Sequence, residues 1–79
     1  MFHEVGILTA QLGYKYHGEY QKVKGYYEKA LAIAMESRDR NNELGCYGML
    51  GYASISLAEY QKAKENWENA LAVAIETGD

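Results

Sequence analysis

Two histidines, one cysteine and a closely spaced trio of glycines are the residues of this 79-residue chain whose types invite a search for chemistry. His3 and His17 stand apart from any second ligand at helical spacing, and Cys46 has no second cysteine, so the sequence assembles no metal set. His3 reads as an end residue and His17 as a turn residue. A nucleophilic Cys46 would need a base within hydrogen-bond reach and an electropositive setting. It stands beside Tyr47 in a glycine-rich stretch with no Lys or His close by, and reads as a small packing residue. Gly45, Gly48 and Gly51 imitate a phosphate loop in composition only. Such a loop follows a strand and opens a helix, and no strand pattern precedes these glycines. Glu28, Glu36, Glu65, Glu68 and Glu76 fall on outer helix faces and read as solvated charge; paired catalytic carboxylates need a cleft. Neither a catalytic centre nor a cofactor or metal site is expected, and an enzyme is the reading the residues favour least.

The elements that would have to position these residues are helices, and they come twice. Residues 58–79 repeat residues 18–39 at a period of 40, with twelve of the 22 positions identical. Most changes keep their character: Val23 becomes Ala63, Tyr27 becomes Trp67, Ile33 becomes Val73 and Met35 becomes Ile75. A fixed period in this range marks a repeat architecture. Tyr20, Val23, Tyr27, Ala30, Leu31, Ala34 and Met35 recur at three- and four-residue steps, which predicts a helix over 20–37. Tyr26 and Ile33 widen its apolar face enough for two neighbours, and Gly25 costs it on the order of 1 kcal/mol. The second copy predicts a helix over 60–77 with Tyr60, Ala63, Trp67, Ala70, Leu71, Ala74 and Ile75 on the same face. Between them lie a polar loop over 37–42 and a helix over 43–57. Asp39, Asn41 and Asn42 are candidate caps for that helix. Its three glycines are read as sites of close backbone approach. Residues 18–19 and 58–59 are read as short turns, and residues 5–17 as a first helix without a clean face. Four helices with short links predict an all-α chain of two tandem helix–turn–helix units, 1–39 and 40–79.

Composition narrows the class further. An apolar content of 48% with a net charge of −3 fits a folded chain, and the eight Lys and Arg are interleaved with eleven acids, so no basic stripe for nucleic acid forms. The longest apolar run, 30–35, is far too short to span a bilayer, so no membrane association is expected. No basic region precedes an apolar segment at the start, and the single cysteine leans towards a reducing, cytoplasmic setting.

With Tyr47, Leu50, Gly51, Ala53, Leu57, Glu59, Tyr60, Ala63, Trp67, Ala70 and Leu71 in the second unit, and Tyr20, Val23, Tyr27, Ala30 and Leu31 in the first, the chain resembles the tetratricopeptide repeat family. The 40-residue period and the ending Glu76, Thr77, Gly78, Asp79 are similar to the longer-period arrays of G-protein-signalling modulator scaffolds. The resemblance implies two hairpins stacked as a short right-handed α-solenoid, with small residues where the two helices of a unit cross. Three features depart from the pattern. Ser54 stands where an aromatic is usual, and Ala58 replaces a turn glycine that Gly18 keeps. The first helix has two registers. The gapless one puts Ile7, Ala10 and Tyr14 in the core. A 38-residue offset aligns Leu12, Gly13 and Tyr14 with Leu50, Gly51 and Tyr52. The gapless register is preferred because it keeps one face.

Of the eight tyrosines, Tyr20, Tyr27, Tyr47 and Tyr60 are assigned to packing between helices. Tyr14, Tyr16 and Tyr52 are not so placed, and tyrosine, apolar with a polar tip, is a favoured contact residue. The resemblance implies a concave groove lined by the first helices of the units. Its residues here would be Gly48, Tyr52, Ile55 and Ser56, receiving an extended peptide or a partner helix. No cluster of Lys, Asn and Arg that would clamp a peptide carboxylate stands there. The function expected is therefore non-catalytic: a scaffold or adaptor module binding a protein or peptide. The alternative is a self-assembling piece of a longer array, since the chain stops where another repeat would begin. A homo-oligomer would then form through a C-terminal face of Trp67, Leu71, Val73 and Ile75.

Overall fold

A computed structural model describes residues 17–78 of the chain. The first helix read over 5–17 lies almost wholly outside them, as do its two registers and the tyrosines Tyr14 and Tyr16. The described residues form three α-helices and no strand: α1 (His17–Glu36), α2 (Arg40–Ser56) and α3 (Tyr60–Thr77). The helix read over 60–77 is found with those bounds. Helix α2 begins three residues ahead of its expected start, and the polar loop shrinks to a turn around Ser37 and Arg38. The expected turn at 18–19 does not exist. His17, Gly18 and Glu19 form the first turn of α1, and Gly18 takes no left-handed conformation there. The two copies thus differ here: residues 17–19 are helical, whereas the equivalent residues 57–59 form the turn ahead of α3.

Helix α2 lies between the other two and packs against both. Its buried residues are Glu43, Cys46, Leu50, Gly51, Ala53 and Ser54, followed by Leu57 just beyond its end. At 100° per residue these spread over an arc too broad for one partner. Helix α1 buries Ala34, and α3 buries Ala63 and Val73. Among the described residues, the helix with two neighbours is therefore the glycine-rich middle one. Tyr26 and Ile33, which broaden the apolar face of α1, are 69% and 66% exposed, and Tyr60, assigned to packing, is 67% exposed. Small side chains explain the placement of α2, because helices approach closely only where little stands between them.

One glycine of the trio serves that approach. A Cβ on Gly51 would lie 2.6 Å from Cδ1 and 2.8 Å from Cε2 of the Trp67 indole, closer than real carbon atoms come. Gly45 and Gly48 have nothing within 4 Å of where a Cβ would sit, so close contact does not account for them.

The two turns share one construction. Asp39 N donates to Ala34 O at 2.8 Å, and Glu59 N donates to Ser54 O at 2.8 Å, closing the end of the preceding helix in each case. Each turn carries one non-glycine residue in the left-handed region, Arg38 at φ 57° and Ala58 at φ 61°. Such a residue costs roughly 1–2 kcal/mol. Gly78 holds the same conformation at the position equivalent to Arg38, where glycine meets no such penalty. Of the three candidate caps Asp39 is the one that serves, its Oδ1 accepting from Asn42 N at 3.2 Å.

Charge closes the bundle at its other positions. The Glu43 carboxylate is buried, and Arg40 Nη1 donates to both its oxygens at 2.8 and 3.0 Å. Arg40 also pairs with Glu76 near the end of α3, which sets α2 and α3 antiparallel. A buried carboxylate without such a partner would be strongly destabilising. The Ser54 hydroxyl is fully buried and has no hydrogen-bond partner.

The glycines separate by substitution. Gly51→Ala is expected to lower stability by about 1–3 kcal/mol, because the indole must leave its seat. Gly45→Ala, exposed and mid-helix, is expected to raise it by about 1 kcal/mol. Urea unfolding followed by circular dichroism measures both, and equal effects at the two sites would contradict the packing described.

Candidate interaction surface

Among the surfaces left open on the described residues, one on α2 and one on α3 bear on the expected groove and C-terminal face. The first is the outward side of α2. Gly48, Tyr52, Ile55 and Ser56 fall at four-, three- and one-residue steps, which places them along one stripe. Tyr52 is 58% exposed and Ile55 41%, while Gly48 and Ser56 are part-buried. All four expected groove residues of the described chain are thus on one helix face. What Tyr52 offers there is an apolar ring with a hydroxyl at its tip.

The second surface is on α3. Tyr60, Lys64, Trp67 and Leu71, joined by Ile55 from α2, line an open and mostly apolar cleft. Leu71 is 61% exposed and Trp67 45%, although one edge of the indole is seated on Gly51. Ile75 continues the stripe at 71% exposure. Val73, grouped with this face from the sequence, does not belong to it: it is buried. Two positions from both Leu71 and Ile75, it falls on the opposite side of the helix and is buried, as Ala63 is.

The Lys24–Glu59 pair sits between these elements. Lys24 Nζ donates to Glu59 Oε1 at 2.9 Å, joining α1 to the turn that leads into α3. The side chains are 15% and 29% exposed, so the pair is shielded on most sides. A Lys24 pairing with Glu28 on its own helix is not what forms; the carboxylate 35 positions away takes the ammonium. The hydrogen bond from Lys24 holds the Glu59 carboxyl below the usual carboxylate range, and the same bond raises Lys24 above its ordinary value. Lys64 and Glu68 form a same-helix pair at 3.8 Å, with both side chains largely exposed.

The lone thiol is held towards its protonated form in this setting. Cys46 is buried, and burial pushes its thiol up, away from the thiolate a nucleophile needs. Among the described residues no three of His, Cys, Asp and Glu come together as metal ligands would, and no helix is long and apolar enough to cross a membrane. Compared with known protein families, with curated proteins and with solved structures, the chain has no match.

Sequence reasoning did not single out the α1-to-turn ion pair, since Lys24 and Glu59 fall in different repeats and no periodicity links them. Its signal was the acid at position 59, which stands where Asp39 caps α2 but makes no cap bond of its own.

This pair gives stability a defined pH dependence. Because the folded Glu59 value is lowered, its contribution is full above the unfolded carboxylate value, about 4.3, and is lost as pH falls further. Lys24→Met removes the pair. The stability gap between the parent chain and this variant is expected to hold through neutral pH and to narrow progressively as pH falls below about 4.3. Urea midpoints over a pH series read it, and a gap that does not narrow as the solution is acidified would contradict the assignment.

Proposed function

We propose that this chain is a non-catalytic protein–protein interaction module of the tetratricopeptide repeat kind. In this reading units 1–39 and 40–79 are two helical hairpins stacked as a short right-handed α-solenoid, working in a reducing, cytoplasmic setting. Three features support it. The sequence repeats at a period of 40. The α2–α3 pair meets through a small residue under a large one, Gly51 under Trp67. The turns at Arg38 and Ala58 are built alike. The observation that carries the function is the exposed Tyr52 and Ile55 stripe on α2, a row of amphipathic and apolar side chains on a rigid helix.

The partner of that stripe is an extended peptide or an amphipathic helix, held by shape and by apolar contact. The groove would run along Gly48, Tyr52, Ile55 and Ser56, with Tyr14 and Tyr16 from the first unit added to it. Chain termini of the kind clamped by paired cations are not among its ligands, because the stripe carries no Lys or Arg.

Selection of peptides from an unbiased displayed library tests this reading. Binders are expected that lose about tenfold or more in affinity with Tyr52→Ala, of the order that one contact aromatic supplies. The thermal midpoint of the variant should stay within a degree or two of the parent, because Tyr52 is exposed. A library that yields no binder sensitive to Tyr52 would overturn the groove.

A further inference from the structure

The repeat places the same stripe on two helices, and only one of them is covered. On α1 the stripe is Tyr20, Lys24, Tyr27 and Leu31, all half-buried. Helix α2 lies against it: Leu31 and Lys24 share a cleft with Leu50, and Tyr27 shares another with Cys46. On α3 the equivalent residues are Tyr60, Lys64, Trp67 and Leu71, with 67%, 45% and 61% exposure for the three that are not charged. The charged member differs most. Lys24 is 15% exposed and bound to Glu59, whereas Lys64 is 69% exposed and meets only the exposed Glu68.

We infer that the α3 stripe is a docking surface for an amphipathic helix of the α2 kind supplied by a partner protein. The partner helix presents leucine and small residues, as α2 does through Leu50, Cys46 and Ala53, and carries an acidic residue in the turn after it. That carboxylate pairs with Lys64 as Glu59 pairs with Lys24. The apolar contact covers Trp67 and Leu71, and the charge pair fixes the direction and register of the helix. This surface adjoins the Tyr52 stripe at Ile55 but does not include Tyr52, so loss of peptide binding through Tyr52→Ala leaves it standing.

The experiment supplies the partner helix at high effective concentration. A second copy of residues 40–59, which contains no tryptophan, is joined after Asp79 of the full chain, leaving Trp67 as the single reporter. The expected result is a shift of Trp67 emission to shorter wavelength and a rise of several degrees in the thermal midpoint. Lys64→Glu in the extended chain should remove most of both effects. Adding a glutamate-to-lysine change at the last position of the appended copy should restore them. In the parent chain Lys64→Glu should change neither emission nor midpoint, which separates docking from folding. Emission that stays at the parent value in the extended chain overturns the inference, as does indifference to charge reversal. So does a parent chain whose Trp67 becomes shielded as concentration rises, because a second copy would then occupy the stripe.

Discussion

Everything in this fold depends on how closely α3 can approach α2, and that is decided at Gly51. The indole of Trp67 occupies the space a Cβ would fill. With the indole seated there, Ala63 and Val73 are carried inward, and both are buried. The arrangement matches a bulky residue to an absent one across a helix crossing, which is how short helices gain contact area without long side chains. The cost falls on α2, whose three glycines weaken it as an isolated helix. It is stable because it is covered on two sides, and the covering helices are in turn ordered by it. None of the three is a plausible independent unit.

Charge supplies what so small an apolar core cannot. The buried residues are mostly alanines and single branched side chains, and the largest are Leu50, Leu57 and the carboxylate of Glu43. Glu43 is tolerable only because Arg40, one turn away, gives it two hydrogen bonds and extends to Glu76 on α3. At the opposite end of the bundle Lys24 reaches from α1 to Glu59. The two pairs tie the outer helices to the ends of the middle one. They favour one packing over others in which the same apolar faces meet in a shifted register, since a shift would strand charges.

Much of this was legible in the sequence, and the exceptions have physical causes. The bounds of α3 followed from seven apolar positions at helical steps and a final Gly78. Residue type narrowed the cap of α2 to Asp39, Asn41 and Asn42, without choosing among them. Gly18 misled, because glycine in a helix N-terminal turn and glycine in a loop look alike without neighbours. The glycine trio was read as a single device, but only the tertiary partner distinguishes Gly51 from Gly45, and Trp67 is sixteen positions further on. The α2 stripe was visible as a set of residues. Its exposure was not, because an apolar residue at helical spacing has the same pattern whether a neighbour covers it or not. Ile33 and Val73 illustrate this: equivalent in the repeat, one is exposed and the other buried.

The turns at Arg38 and Ala58 carry a consequence for how the chain reaches this state. Neither residue prefers the left-handed conformation it holds. A glycine or asparagine there would bend the chain before the helices met; arginine and alanine resist. Each bend is thus imposed by the helices on its flanks and persists only while they are packed. The corners are a result of the packing and not a local preference of the residues that stand at them.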